Sequence, residues 1–412
     1  KNKMIMANNN NKDKCNVPNL RFPEFSGEWE MSSIGEQFEL YSGNTPSRMN
    51  KNQFDGSINW ITSGELKEHY ISDTKEKISE EAAKNNSLKL LPVGTFVIAI
   101  YGLEANGVRG TCSITTREST ISQACMAFTS KMDIQNEFLY SWYKKHGNII
   151  GIKYAQGTKQ QNLSYDIIER FNISYPCMEE QKKLIRFISL IDQRIATQNK
   201  IIEDLKKLKS AIIENVFDDK HSERLQLDNV GSYIRGLTYS SNDVVEHGGT
   251  LVMRSNNIVN GSLLDYNNNV VFVNKQMSAE QQLQNGDIVI CMANGSSSLV
   301  GKSSFYDGNW HSSITVGAFC GIYRSKEPIV KWLFQTNKYR RYIWNSLQGG
   351  NGAIANLNGE DILNMSFSIP SAPIKDTCVK MLTSVDSALE NNISLCALYT
   401  LQKQYLLRQM FI

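Results

Sequence analysis

Three residues near the start of the chain have the types and spacing of a metal-dependent nuclease. Asp55 and Glu65 could hold a magnesium ion, and Lys67 could lie beside the attacking water. The corresponding stretch in the second half of the chain, 251–255, reads Leu-Val-Met-Arg-Ser and contains no acid. A solvated strand end is therefore the simpler interpretation of Glu65 and Lys67, and a cryptic nuclease stays an alternative.

Two glycine-rich stretches resemble nucleotide-binding loops but fail on context. Residues 295–303 are one residue too long for a phosphate loop, and a strand and a turn are predicted after them where a helix should follow. Residues 350–355 follow a predicted helix, whereas a dinucleotide fingerprint follows a strand. No two prolines are adjacent, which excludes the Asn/Asp-Pro-Pro-aromatic tetrapeptide of a DNA amine methyltransferase. The sequence therefore predicts a protein that is not an enzyme.

The histidines and cysteines are too scattered to predict a metal site. Five histidines occur at positions 69, 146, 221, 247 and 311, and eight cysteines at 15, 112, 125, 177, 291, 320, 378 and 396, with no Cys-x-x-Cys pair. Isolated cysteines without a secretory signal pattern are typical of reduced thiols. We therefore expect no metal and a cytoplasmic location.

The composition is that of a folded protein with a hydrophobic core. The chain has 412 residues, of which 41% are hydrophobic and 21% charged. Its best apolar run, 96–101, suits a buried strand and is far shorter than the roughly 18 residues of a membrane span. The net charge of +3 permits a nucleic-acid partner without requiring one. Residues 1–16 lack periodicity and are predicted to form a disordered tail.

The chain contains a long internal repeat. The segment Ile-Ser-Tyr-Pro at 173–176 recurs 194 residues later as Phe-Ser-Ile-Pro at 367–370. Further matches at offsets of 192 to 194 residues are 94–98 with 286–290, 40–45 with 233–238, Asp192 with Asp386, and Phe217 with Phe411. A period of this length indicates a duplicated domain, since the repeats of a solenoid are much shorter.

Each repeat begins with a β-rich part and ends with a long helix. The parts 30–176 and 225–370 are rich in β-branched and aromatic residues broken by Gly, Asn and Ser, which predicts strands and loops, with helical islands at 137–147 and 329–347. Residues 179–217 and 373–411 contain no glycine and carry apolar residues at spacings of three and four. The seam in the first of these includes Leu205, Leu208 and Ile212. This spacing predicts two helices that pair as a coiled coil.

Both predicted seams are interrupted by a polar residue at the same point. Gln198 lies between apolar positions 195 and 202, and Asn392, 194 residues later, lies between 389 and 396. A polar residue at one core position of a coiled coil commonly fixes its register. We therefore predict that Gln198 and Asn392 lie close together across the helix pair.

The β-rich parts carry polar, glycine-containing loops suited to binding DNA. The loops are 42–48, 63–67, 101–109 and 156–161 in the first repeat, and 235–240, 254–257, 294–302 and 348–356 in the second. Arg, Lys, Asn, Gln and Ser side chains are the types that reach base edges and phosphates. The predicted DNA-binding residues are Thr45, Ser47, Arg48, Ser63, Lys67, Tyr101, Asn106, Arg109, Thr158, Lys159, Gln160, Arg235, Thr238, Tyr239, Arg254, Asn256, Asn257, Asn294, Ser296, Ser297, Lys302 and Asn351.

The chain resembles the specificity subunits of type I restriction–modification systems. The resemblance rests on the opening Val-Pro-Asn-Leu-Arg-Phe-Pro-Glu-Phe-Ser-Gly-Glu-Trp at 17–29 and on the related segments 91–98 and 284–290. It also rests on the proline-then-helix segments that begin at Pro176 and Pro370, and it covers residues 17–412 in order.

The resemblance implies an α+β protein with two mixed α/β target recognition domains in tandem. Each domain is followed by a long helix, and the two helices form an antiparallel coiled coil with pseudo-two-fold symmetry. The implied segments are the tail 1–16, recognition domain 17–176, spacer helix 177–220, recognition domain 221–370 and spacer helix 371–412.

The resemblance also implies the function and the partners. Each recognition domain would read one half of a split sequence in double-stranded DNA, and the helices would set the spacing and dock two modification subunits. S-adenosylmethionine would bind the modification subunit, and ATP and magnesium the restriction subunit, with no cofactor on this chain. Besides the nuclease, a coiled-coil scaffold that binds only protein stays an alternative.

Overall fold

The protein consists of two compact units. The computed structural model describes residues 5–6, 16–102, 110–154, 161–217, 223–347 and 355–412. Unit 1 comprises residues 1–198 and 395–412, and unit 2 comprises residues 199–394. The sequence suggested five consecutive segments in which each long helix stood alone, whereas the boundary between the two units falls within both helices.

The two long helices have the same length and repeat at the predicted offset. The first spans Met178–Val216 and the second Ala372–Met410, each of 39 residues, so that both begin one residue before the predicted start. Neither contains glycine, and each follows a strand that ends just before the helix, at Tyr175 and at Ile369. In the part of the chain that the structure describes, no helix combines the length and apolarity needed to cross a bilayer.

Unit 1 is built around a mixed five-stranded sheet. Its strands are, in spatial order, Phe38–Ser42, Cys125–Ser130, Phe96–Ala99, Cys112–Thr115 and Tyr70–Ile71. A three-stranded sheet contains Ser119–Ile121, Ile58–Ile61 and Lys77–Ile78. The paired short strands are Glu30–Ser33 with Asn172–Tyr175, Tyr101–Gly102 with Gln161–Asn162, and Ile5–Met6 with Leu20–Arg21. The shorter helices are Ile34–Gln37, Glu80–Asn85, Asn136–Tyr154 and Tyr165–Glu169.

Unit 2 repeats the order of the first four strands of the large sheet, but its strands divide into two sheets of four. One four-stranded sheet contains, in order, Gly231–Arg235, Cys320–Ser325, Ile288–Cys291 and Ser303–Phe305. The other contains Val244–Val245, Val271–Val273, Thr250–Met253 and Ile314–Val316. The paired short strands are Glu223–Gln226 with Ser366–Ile369 and Ala293–Asn294 with Ala355–Asn356. The shorter helices are Leu227–Val230, Val330–Leu333, Asn337–Leu347 and Gly359–Leu363, and the fold is of the α+β class.

The repeated Gly-[Thr/Asp] motif forms the turn into the central strand of each unit. Gly94 and Gly286 have φ angles of 84° and 89°, a conformation that glycine adopts without strain. The next residue, Thr95 or Asp287, is buried and bonds back to the turn. The motif recognised in the sequence therefore recurs because both units need the same turn.

Each unit packs one half of both long helices against its sheets. The core of unit 1 includes Phe96 and Phe138 together with Leu184 of the first helix and Phe411 after the second. The core of unit 2 includes Trp332 with residues of both helices: Ile213, Val216, Cys378 and Leu382. Burial of these apolar side chains is what holds the helices to their units.

A lysine and an aspartate pair between the two helices in both units. In unit 1, Lys403 Nζ contacts Asp192 Oδ1, and in unit 2, Lys209 Nζ lies 2.7 Å from Asp386 Oδ1. Within unit 1, Asp192 is opposite Lys403 and Arg194 stacks on Tyr399, so the helix segments run antiparallel there.

The helix seam differs from the predicted one at Leu208. This residue was assigned to the seam but is 50% exposed, and its neighbour Lys209 is buried instead. Lys209 takes the inward position because Asp386 is there to neutralise it.

The two polar residues of the predicted seam lie in different units. Gln198 of unit 1 is buried, as a seam residue should be, and Asn392 of unit 2 donates from Nδ2 to the Ala388 carbonyl. They belong to different units, and their proximity stays a prediction.

Two further boundaries differ from the sequence-based ones. The helix predicted over 329–347 is divided into Val330–Leu333 and Asn337–Leu347, because Thr336 Oγ1 accepts a bond from Tyr339 N and starts a new helix. The helix predicted over 137–147 continues to Tyr154. Most of the predicted tail lies outside the described residues, and Asn16 at its end donates to the Trp29 carbonyl.

Candidate nucleic-acid interface

The four polar loops of unit 2 meet at one end of its sheets. Tyr239, Arg254 and Asn256 line one pocket of about 370 Å³. Asn294 Nδ2 donates to Ser255 Oγ at 3.3 Å, which joins the second loop to the third. The strand Ala293–Asn294 pairs with Ala355–Asn356, the end of the fourth loop. The fold of unit 2 therefore brings together loops that are far apart along the chain.

Parallel strand pairs explain why the loops converge. In unit 2, Thr250–Met253 runs parallel to Ile314–Val316, and in unit 1, Ile58–Ile61 runs parallel to Ser119–Ile121. The carboxyl ends of parallel strands lie at the same edge, so the segments that follow them are neighbours.

The first loop reaches the same edge through a glycine in each unit. A Cβ on Gly236 would clash with the Gly317 carbonyl, and one on Gly43 would clash with the Ile121 carbonyl. Only glycine allows this approach of two backbones.

The first, third and fourth loops of unit 1 also come together at one edge. The strand Tyr101–Gly102 pairs with Gln161–Asn162, which brings the third and fourth loops together. A pocket of about 400 Å³ is lined by Ser42 of the first loop, by Tyr101, and by Gln123 and Asn162. Asn44 N donates to the Ile121 carbonyl at 3.2 Å.

The predicted DNA-binding residues divide by their surroundings. Those that are exposed are Ser47, Arg48, Lys67, Arg235, Thr238, Asn256, Ser296 and Ser297. Those that are half-buried are Thr45, Ser63, Tyr101, Tyr239, Arg254, Asn294 and Lys302. Those that lie outside the described residues are Asn106, Arg109, Thr158, Lys159, Gln160 and Asn351.

Asn257 and Arg48 have structural roles that the sequence did not indicate. Asn257 is fully buried, and its Nδ2 donates to the carbonyls of Asp265 and Asn268 at 3.1 and 2.7 Å. Its amide therefore holds a loop and is not available at the surface, which corrects its assignment as a reading residue. Arg48 forms a two-bond ion pair with Glu76, at 2.7 and 2.9 Å, and lowers the pKa of that carboxyl.

The nuclease alternative finds no support in the geometry. Glu65 Oε2 accepts a bond from Thr62 N at 2.8 Å, and its Oε1 accepts one from Lys75 N at 2.7 Å. Both oxygens thus stabilise a loop, while Asp55 is exposed. Over the described ranges, no group of three or more His, Cys, Asp or Glu side chains is placed to hold a metal ion.

The phosphate-loop resemblance fails as expected from the sequence. A short turn at Ser297–Leu299 is followed by the strand Ser303–Phe305, where a phosphate loop requires a helix.

Sequence reasoning missed one feature of the loop surface and one feature of the helix pair. Phe319, which borders the pocket of unit 2, is 65% exposed. An apolar residue at a strand boundary looks like core in a sequence, so no signal marked it. The lysine–aspartate pairs did leave a signal, because Lys209 and Lys403 recur at the same 194-residue offset as the two aspartates.

The fold and the loop surfaces define a class of protein: an α+β protein in which the same set of elements, with polar loops at one edge, occurs twice. Residues 26–207 match the family model described as type I restriction modification DNA specificity domain. With the relatives below, this match confirms the resemblance noted in the sequence: residues 26–207 are similar to the specificity domain of type I restriction–modification systems.

Similar proteins with curated names are matched over part of their length. The type I restriction enzyme MjaIX specificity subunit of Methanocaldococcus jannaschii is 29% identical over 196 residues, 47% of this chain and 44% of that protein. The EcoKI specificity subunit of Escherichia coli K12 is 34% identical over 153 residues, 35% of this chain and 31% of that protein. The match thus spans less than half the length of each relative.

Solved structures share the fold over nearly the whole chain. The S subunit of a type I restriction-modification system from M. genitalium has a TM-score of 0.59 at 14% identity, covering 96% of this chain and 99% of that one. A chain from a study of assembly and conformational transition of the type I R-M system has a TM-score of 0.53 at 13% identity, covering 93% and 97%.

Proposed function

We propose that this protein is the DNA sequence-specificity subunit of a type I restriction–modification complex. Unit 1 reads one half of a bipartite target in double-stranded DNA and unit 2 reads the other half. The observation that carries this proposal is the convergence of polar loops at one edge of each unit, four loops in unit 2 and the first, third and fourth loops in unit 1. Hydrogen-bonding side chains gathered on one surface suit the readout of base edges and phosphates.

The two long helices form an antiparallel coiled coil that separates the two recognition domains. The recurrence of a lysine–aspartate pair in both units supports this arrangement. Gln198 and Asn392 fix its register. The sequence separation between the pairs is the same on both helices, as a pseudo-two-fold axis requires.

The helices also dock two modification subunits, to which restriction subunits are added in the full complex. An apolar stripe on the second long helix supports this role, since its side chains are 42–60% exposed at helical spacing: Leu395, Leu398, Leu401 and Tyr405. S-adenosylmethionine binds the modification subunit, and ATP and magnesium bind the restriction subunit. The chain itself carries no catalytic residue and acts in the cytoplasm.

Methylation mapping of the co-expressed subunits tests the proposal. The chain, expressed with its modification subunit, should methylate adenines at one bipartite sequence with a fixed spacer. Arg254→Ala should relax the base preference of one half-site only, while Met132→Asp, at an exposed loop position away from the reading edge, should leave the sequence unchanged. Methylation without a bipartite motif, or DNA cleavage by the purified chain with magnesium, would contradict the proposal.

Charge placed on the apolar stripe tests the docking role. Leu398→Asp with Leu401→Asp should abolish co-purification of the modification subunit, because a carboxylate buried in an interface is costly. Met132→Asp adds one such charge at another exposed apolar residue of unit 1 and should not affect co-purification. Equal loss in both variants would contradict docking at the stripe.

Lengthening a helix tests the spacing role. Four residues inserted after Leu205 add about 6 Å at roughly 1.5 Å per residue. At about 3.4 Å per base pair, the spacer should grow by one or two base pairs while both half-sites keep their bases. An unchanged spacer would show that the helices do not set the distance.

A further inference from the structure

Phe319 is held out of the core of unit 2 at the edge where the polar loops meet. Its side chain is 65% exposed, whereas every other phenylalanine among the described residues is buried or half-buried. Leaving a phenylalanine side chain in water forgoes the free energy that its burial would supply. The neighbouring Cys320 is fully buried, so the exposure is not that of a generally loose segment.

The backbone around Phe319 is fixed by hydrogen bonds. Its carbonyl accepts bonds from Met292 N and Ala293 N at 2.8 and 3.1 Å. Cys320 N donates to the Gly317 carbonyl at 2.8 Å and closes a tight turn. The ring is therefore presented on a rigid turn, and its position is set by the sheet.

The surroundings of the ring are polar and basic. Phe319 borders the pocket that Tyr239, Arg254 and Asn256 also line. Arg254 donates from Nη2 to the Asn269 carbonyl at 2.9 Å, but its Nε is buried and has no hydrogen-bond partner within the described ranges. An arginine and an asparagine at one site suit the acceptors and donors that bases present in the major groove.

Unit 1 has the same backbone arrangement with a smaller side chain. The Ala124 carbonyl accepts bonds from Ile100 N and Tyr101 N at 2.9 and 3.3 Å, as the Phe319 carbonyl does in unit 2. Ala124 lies 195 residues before Phe319, the same offset that relates the strands beginning at Cys125 and Cys320. The aromatic ring is thus a feature of unit 2 alone and is not needed to build the turn.

We propose that Phe319 reads the C5-methyl group of a thymine in the half-site bound by unit 2. The inference rests on the proposed DNA-reading function of that unit. The thymine methyl is the apolar group that a base edge presents in the major groove, and phenylalanine is one of the residues that contact it. We do not propose that the ring inserts between bases, because apolar residues that do so enter from the minor groove. There the base edges present fewer distinct donors and acceptors for Arg254 and Asn256 to recognise.

Deoxyuridine substitution tests the contact on the assembled complex of this chain with its modification subunit. Each thymine of the unit 2 half-site is replaced in turn by deoxyuridine, which lacks only the methyl group, and duplex binding is measured. One replacement should weaken binding by about fourfold, since a buried group of this size is worth about 0.8 kcal/mol and 1.4 kcal/mol is tenfold. In Phe319→Ala the thymine and deoxyuridine duplexes should bind equally.

Two controls separate this inference from the proposed function. Phe319→Leu should keep part of the preference for thymine, and deoxyuridine in the unit 1 half-site should have the same effect in Phe319→Ala as in the parent. A unit 2 half-site without thymine, equal binding of all duplexes by the parent, or an undiminished preference in Phe319→Ala would overturn the inference. None of these three results contradicts the proposed function as long as the parent protein still methylates a bipartite sequence. The proposed function itself fails only if no bipartite sequence is methylated.

Discussion

The lysine–aspartate ion pairs of the two units join equivalent positions of the repeat but lie in different surroundings. Asp386 of unit 2 is 6% exposed and is bound by Lys209 at 2.7 Å, Lys331 at 2.9 Å and the Trp332 indole Nε1 at 3.1 Å. Asp192 of unit 1 is 28% exposed and is bound by Lys403. The repeat has kept the ion pair and changed what encloses it.

This difference matters because the contribution of an ion pair depends on its burial. Burial lowers the pKa of Lys209, and the charge of Asp386 opposes that shift. A buried charge that loses its partner is costly, whereas an exposed pair contributes little. Unit 2 should therefore depend on its pair much more than unit 1 does.

The largest effect expected is that of Asp386→Ala. Removal of the carboxylate leaves Lys209 buried without a counter-charge, which should lower the free energy of unfolding of unit 2 by about 3–5 kcal/mol. Urea unfolding, with hydrogen exchange to assign the loss to unit 2, measures it. Lys209→Met with Asp386→Leu should recover most of the loss, because apolar residues of similar size can replace a buried pair. A loss below about 1 kcal/mol in the single variant would contradict the comparison.

The second prediction compares two arginines at the reading edges. Arg254→Ala should weaken specific binding at the unit 2 half-site by about 1–3 kcal/mol, the range for a lost bidentate base contact. Arg48→Ala should have much less effect on binding, because Glu76 already holds that guanidinium in a two-bond pair. Competition binding with single-base variants of each half-site measures both. Equal losses of affinity in the two variants would show that the ion pair with Glu76 does not decide whether the Arg48 guanidinium can bind DNA.

The sequence predicted the repeated elements well because their signals are local. Glycine-free, periodic stretches gave both long helices to within one residue, and recurrent turns such as Gly94 and Gly286 gave the strand that follows. The first three polar loops of each repeat were also recognisable, since each follows a strand at the same place in the repeat, whereas the fourth follows a helix.

Features that depend on three-dimensional contacts were not predictable. Nothing in the order of residues shows that the Asn257 amide is used by the carbonyls of Asp265 and Asn268, or that Lys209 lies inward while Leu208 faces outward. The role of Asn257 and the orientation of Lys209 both depend on which polar group the fold places beside each side chain. The exposed ring of Phe319 has the same cause, because a strand boundary does not reveal which of its residues the turn lifts out of the core.

The third prediction is a difference in acid stability between the units. Burial lowers the pKa of His146 in unit 1 from 6.5 to about 4, with Lys145 adding to the shift, and His146 Nε2 lies 2.9 Å from the Ile412 carbonyl. The described histidines of unit 2, His247 and His311, are exposed. The unfolded chain therefore takes up a proton on His146 as the pH falls from about 6.5 to about 4, while the folded chain does not.

Unit 1 should accordingly lose stability through that pH window by an amount on the order of 1–2 kcal/mol. Urea unfolding at a series of pH values, with hydrogen exchange to separate the units, measures the loss. His146→Gln cannot take up the proton and should lessen the dependence of unit 1 on pH in this window, leaving unit 2 as it was. The same slope in the parent and in His146→Gln would show that another group is responsible.

The smallest effect expected is that of Asp192→Asn in unit 1. One carboxylate oxygen, Oδ1, accepts the bond from Lys403, while Oδ2 is buried and has no hydrogen-bond partner over the described ranges. Desolvation of that oxygen offsets part of what the ion pair gains, so an uncharged amide of the same shape loses little. Burial and then the hydrogen bond and charge of Glu137 raise the pKa of Tyr70 to about 12, and the charge of Asp192 makes the smallest contribution.

The free energy of unfolding of unit 1 should therefore change by no more than about 1 kcal/mol in Asp192→Asn. Spectrophotometric titration should show only a small fall in the pKa of Tyr70, because burial and Glu137 still raise it in the variant. The matched variant, Asp386→Asn in unit 2, removes the charge from a carboxylate that two lysines and an indole bind, and it should cost several times more. Equal losses in the two asparagine variants would mean that the shared ion pair itself, and not the side chains enclosing it, determines how much each unit relies on it.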